Sequence, residues 1–176
     1  MPPKKRRRQK EGAASPNSGP DEESIGRELA SFISERHEPI VLDWEKAVRR
    51  DQTIPSADKL THRQLTDHIP ELLTSISLTL SEEYDQKLAK DINYTASMHG
   101  QIRWQQGYDI SELLREIGHL RTVLIQELRK FQRRRPDFSD APGEVATIIV
   151  HSYLDKLMRR SIEQFLALSE RAKPKQ

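Results

Sequence analysis

Between Ile110 and Phe131 the apolar residues Ile110, Leu113, Leu114, Ile117, Leu120, Leu124, Leu128 and Phe131 recur every three or four positions. An α-helix has about 3.6 residues per turn, so they share one face for about six turns. A stripe this long must be covered by other elements, and no stretch of the chain alternates with the period of a strand. The chain is therefore all-α, with about six or seven helices packed by their apolar faces.

Local signals set the ends of this helix. Asp109 and Glu112 have the spacing of a capping box, in which each side chain satisfies the other's backbone N–H. Gly107, just before it, suits the left-handed residue that ends the preceding helix. Arg133, Arg134 and Arg135 complement the negative end of the helix dipole, and Pro136 stops it.

Similar stripes fill the rest of residues 21–172. Ile25, Leu29, Phe32, Ile33, Ile40, Val41, Trp44 and Val48 keep helical spacing across Pro39, which predicts two segments joined near His37–Pro39. Residues 51–60 read as a loop. Thr61 and Gln64 resemble a second capping box, opening a short helical turn before Pro70. Ile69, Leu72, Leu73, Ile76 and Leu80 make the next stripe. The following helix, from about Ser81 to Gln105, has an inward face of Tyr84, Leu88, Ile92, Thr95, His99 and Ile102. A last helix starts near Ser139–Pro142 and runs through Val145, Ile148, Ile149, Leu154, Met158, Ile162, Phe165 and Leu168.

The net charge of +2 conceals an asymmetry. Residues 1–20 carry +5 through Lys4, Lys5, Arg6, Arg7, Arg8 and Lys10 against Glu11, which leaves −3 for the remainder. The first twenty residues have no apolar periodicity to offset their ordering entropy, and read as a disordered basic tail. Residues 173–176 read as a disordered end. The mildly acidic remainder has no general footprint for nucleic acid, so contact with nucleic acid is expected only through the tail. With no cysteine, disulfides and thiolate metal sites are excluded. No apolar run approaches the ~20 residues needed to cross a bilayer, and no apolar segment follows the basic start as in a secretory signal. The expected location is the cytoplasm.

Functional residues concentrate at the hairpin His99–Arg121. His99 and Arg103 lie four apart on its first helix, and Glu112 and Glu116 lie four apart on its second. With the turn centred between Gly107 and Tyr108, His99 falls opposite Glu116 and Arg103 opposite Glu112. Such a cluster fixes the pairing of two helices, which is the usual role of buried polar groups. The sharper alternative is a switch or a ligand contact, because histidine titrates near neutrality. A haem or metal held through His99 is the third reading, without specific support in the sequence.

The other histidines, His37, His62, His68, His119 and His151, form no metal-binding pair spacing. Trp44 and Trp104 read as core or interface anchors. Gly118–Leu124 compares with a kinase phosphoacceptor helix, but the acidic residue and proline of that pattern are missing, so His119 reads as structural. No nucleophile set, carboxylate pair or phosphate loop stands out, and no enzyme activity is expected.

The hairpin and Leu65–Ile76 before it resemble the N-terminal domain of the stressosome RsbT co-antagonists, also found at the front of bacterial sensor histidine kinases. The matching features are His68, Pro70, Leu72 and Leu73, then His99, Arg103, the turn Gln106 to Asp109, Glu116, and the pair Leu120–Arg121. The resemblance spans roughly residues 27–168. It implies a globin-like helical domain without haem or another cofactor, cytosolic and often dimeric, passing an input to an output domain. The partners it implies are a second copy of the chain and a signalling protein: a histidine kinase, a response regulator or a stressosome component. The basic tail lies outside the pattern.

The residues and the resemblance together point to a non-enzymatic sensor or dimerisation domain of bacterial signal transduction. Met158, Ile162, Phe165 and Leu168 outrun what a compact bundle can cover, and are expected to form a dimer or output helix with Phe165 near its seam. The rivals are a nucleic-acid-associated helical adaptor using the basic tail and a haem-binding globin-type sensor.

Overall fold

The computed structural model describes residues 22–81, 86–135 and 141–172, and every regular element within them is a helix. In chain order these are α1 (Glu22–Glu35), α2 (His37–Arg50), α3 (Pro55–Asp58), α4 (His62–Thr66), α5 (Ile69–Leu80), α6 (Gln86–Gln105), α7 (Ile110–Arg134) and α8 (Ala141–Ala172). Six are long, and α3 and α4 are about a single turn each. The all-α class is borne out. The readings made on residues 1–20, on Tyr84, on Pro136, on Ser139 and on residues 173–176 lie outside the described residues, as do those on the side chains of Ile25, Leu88 and Pro142.

The boundary signals act as the sequence predicts. α1 and α2 meet at Arg36, and Pro39 lies in the first turn of α2, where its missing N–H costs no helical bond. Both capping boxes form: Glu112 N donates to Asp109 at 2.8 Å and Asp109 N to Glu112 at 2.8 Å, with the same exchange between Thr61 and Gln64. Gly107 has φ +79°, and no atom lies within 4 Å of where its β-carbon would be. Backbone conformation, not crowding, therefore selects glycine there. The expected loop 51–60 is broken by α3, which starts at Pro55, a residue pre-set for a first helical turn.

Trp44, Leu72, Leu113, Leu124, Leu154 and Leu157 belong to one buried core. The longest helix, α8, packs chiefly along α6, and also against α7 and α5. At Gly100 of α6 the backbones nearly touch, since a β-carbon there would lie 2.1 Å from the Ser161 carbonyl oxygen. Ser161 Oγ donates to the Ala96 carbonyl at 2.9 Å.

The inward face of α8 needs correction. Val145 and Ile148, expected to pack on the domain, are 53% and 56% exposed, while Ala146, Val150, Tyr153, Leu154, Leu157 and Ser161 are buried. Phe165, expected at an intermolecular seam, is 6% exposed and belongs to the domain's own core. Met158, Ile162 and Leu168 are half-buried. The α7 stripe is more regular, but Leu114 lies outside it at 36% exposure.

Candidate functional site: a buried polar hub

Four polar side chains converge where α6 crosses α7 beside the start of α5. Arg103 is fully buried, and His99 and Glu116 are 1% exposed. Arg103 Nε lies 2.8 and 2.9 Å from the two Glu116 carboxylate oxygens, and Nη2 lies 2.8 Å from Oε1. The same guanidinium donates to the Leu65 carbonyl at 2.7 Å and to Gln106 Oε1 at 2.6 Å, so it also ties down the end of α4. Gln106 extends the tie by donating to the Gln64 carbonyl at 2.8 Å. The Tyr108 ring lies 5.1 Å below the guanidinium. A buried ion pair is tolerable only when its remaining donors are satisfied, and here they are.

This geometry corrects the expected register. Arg103 pairs with Glu116, not Glu112. Glu112 instead accepts from Ser56 N at 2.8 Å and Ser56 Oγ at 2.9 Å, besides its part in the cap. The positive φ at Gly107 and the extended Asp109 displace the centre of the turn, so a symmetric count misplaces the pair. His99 does lie near Glu116, at 3.6 Å from Nε2 to Oε1, which is beyond hydrogen-bond reach. That Nε2 is buried without a hydrogen-bond partner.

The sequence reading left His68 out of the cluster. Its Nε2 lies 2.7 Å from His99 Nδ1, the two rings are 4.8 Å apart, and its Nδ1 lies 3.3 Å from Asp67 Oδ1. Burial drives the pKa of both histidines well below the ordinary value, helped at His68 by His99 and Arg103 and at His99 by Arg103. Burial also raises the Glu116 carboxyl, against the opposing pull of the guanidinium. Trp44 of α2 donates to the Glu116 carbonyl at 3.2 Å, so Glu116 connects three helices. Glu127, on the same face of α7, is a further buried acid, paired with Arg36 and with Lys130. His119 stands apart from the hub, 2.9 Å from Asp51.

His68, His99 and Glu116 offer metal-ligand atoms within 4.8 Å of one another. The residue types suit a transition metal, but the arrangement does not. Arg103 occupies both carboxylate oxygens, His68 holds one nitrogen of His99, and a dication would lie beside the guanidinium. Haem fits no better. The space beside His99, bounded by Trp44, Ile69, Leu72 and Leu120, has no room for even a water molecule.

The fold and the hub define a helical domain organised around a buried polar network, with no described helix long and apolar enough to cross a membrane. The chain matches the RsbT co-antagonist protein rsbRD N-terminal domain over residues 38–173, most of its length, and it belongs to that family of stressosome- and signalling-related domains. No curated protein and no solved structure matches it.

Proposed function

We propose that this chain is a non-enzymatic, cytoplasmic signal-transduction domain with a globin-like helical arrangement. It receives an input at the His68–His99–Arg103–Glu116 hub and delivers it through α8. The observation carrying this reading is the contact of Gly100 with Ser161. The residue next to His99 rests on the backbone of α8, so a change in the hub that moves α6 also moves α8. Close-packed helices transmit such shifts because they cannot deform continuously.

The output surface is the outer face of α8. Val145 and Ile148 are exposed there, while Met158 and Ile162, further along, are half-buried and pack against the domain's own core. A second copy of the chain covers this face, and a kinase, response regulator or stressosome component responds to how the two copies sit. Sedimentation at tens of micromolar tests the reading. The wild type should have the mass of two chains, and a Val145→Glu, Ile148→Glu variant that of one. A monomeric wild type, or a variant that pairs equally well, contradicts it. Purified chain incubated with ATP should neither hydrolyse it nor acquire phosphate on His119.

A further inference from the structure

A pocket of about 310 Å³ opens between the start of α5 and the middle of α6. Asp67 and Glu71 stand on one side, Tyr94, Met98 and Ile102 on the other, and the His68 ring forms part of its wall. Its size is at the small end of ligand sites, and its lining mixes apolar surface with a few polar groups, as such sites do. His68 is therefore the one member of the hub that a molecule from solvent can touch.

Proton counting shows what such a molecule would change. Two neutral imidazoles carry two N–H groups. The chain from Asp67 through His68 and His99 to Glu116 has three places for one: Asp67 to His68 Nδ1, His68 Nε2 to His99 Nδ1, and His99 Nε2 to Glu116. Two of these are closed in the structure. The third, at His99 Nε2, is open at 3.6 Å and that nitrogen has no partner. The assignment that fits has His68 donating through Nδ1 to Asp67 and His99 donating through Nδ1 to His68.

We propose that the pocket binds a small organic ammonium ion with an apolar body, which donates to His68 Nδ1 and thereby switches the tautomers of His68 and His99. Asp67 and Glu71 balance the charge, the Tyr94 face and Met98 take the apolar body, and the Asp67 carboxylate exchanges its imidazole partner for the ammonium. With Nδ1 accepting, the His68 Nδ1 proton leaves to solvent through the pocket, and the proton shared by the two rings passes from His99 Nδ1 to His68 Nε2. His99 Nε2 takes up one proton from solvent as the α6–α7 contact opens transiently, and donates it to Glu116. Each ring keeps one proton, and the carboxylate that holds Arg103 gains a hydrogen bond. Binding at the surface is thus converted into a tighter α6–α7 hub, which gives the signalling reading above its class of ligand and rests on that reading.

Ring-nitrogen NMR of the full chain with ¹⁵N-labelled histidine tests this, with phenethylammonium as the probe and neutral 2-phenylethanol as its control. The expected result is saturable binding of the amine, exchange of protonated and bare nitrogens in both His68 and His99, and no binding of the alcohol. The Asp67→Asn, Glu71→Gln variant, altered only at exposed side chains, should bind about tenfold more weakly. No saturation up to about 10 mM, equal binding of the alcohol, or binding that leaves the histidine tautomers unchanged would each overturn the proposal. Sedimentation needs no amine, so a chain that dimerises through α8 yet ignores the amine refutes this site alone.

Discussion

Gly100 of α6 lies against the carbonyl of Ser161 in α8 so closely that a β-carbon would meet it at 2.1 Å. Gly118 of α7 has no atom within 4 Å of its corresponding position. Two helical glycines of one chain thus make opposite predictions. Gly100→Ala forces two backbones apart and should destabilise by about 1–3 kcal/mol or more, despite the better helix propensity of alanine. Gly118→Ala should stabilise by about 0.5–1 kcal/mol. Urea melts of the two variants check this, and a neutral Gly100→Ala would show that α6 and α8 are not in contact.

The hub should follow the observed pairing, not the symmetric one. In double-mutant cycles, Arg103→Ala with Glu116→Ala should show coupling of about 1–3 kcal/mol. Arg103→Ala with Glu112→Ala should be close to additive. The single variants at 103 and 116 should cost about 3–5 kcal/mol, because each leaves a charge buried alone. Strong coupling to Glu112 instead would restore the register expected from the sequence.

Ser56→Ala isolates the other carboxylate. It removes a hydroxyl that donates to Glu112 at 2.9 Å and leaves the backbone bond at 2.8 Å in place. The expected loss is about 1.5–3 kcal/mol, as for a hydrogen bond to a charged group. An unchanged midpoint in urea would mean that the hydroxyl's bond to Glu112 adds nothing.

Acid should weaken the fold through its two buried histidines. Folded, His68 and His99 are held neutral, their pKa values driven well below the ordinary one by burial and by neighbouring cationic groups. Unfolded, both take up a proton near about pH 6.5. The unfolded state therefore binds more protons as pH falls. The histidine contribution is intact above about pH 7, and below about 6.5 it falls by up to about 1.4 kcal/mol per pH unit for each ring. Glu116 acts with the opposite sign, because its raised pKa lets the folded state bind a proton first. Unfolding free energies at about pH 7.5 and about pH 5.5 should show a smaller acid loss for His99→Gln than for wild type. Equal losses would mean that His99 is not held neutral.

Elements with strong local signals were legible in the sequence. The capping boxes at Asp109 and Thr61, the break at Pro39 and the glycine turn at 107 all depend on residues within a turn of one another. What the sequence hid depends on close approach between distant segments. The contact face of α8 includes small or polar-tipped residues, Ala146, Tyr153 and Ser161, beside Val150, Leu154 and Leu157, and at Ser161 the backbone of α8 comes against that of α6. Ranking by hydrophobicity selects Val145 and Ile148 instead, and these face outward. His68 could not be placed in the hub, nor Ser56 beside Glu112, for the same reason. Each is brought there by a turn of chain 31 or 56 residues away from its partner.

The central claim is that the hub and α8 move together. Amide hydrogen exchange in the wild type and in Glu116→Gln tests it most directly, since this variant keeps the shape of the side chain and weakens its hold on Arg103. The account predicts faster exchange in residues 157–165 of α8 as well as in α6 around His99, with residues 40–48 of α2 unchanged. Faster exchange confined to α6 and α7, with α8 as protected as in the wild type, would contradict it.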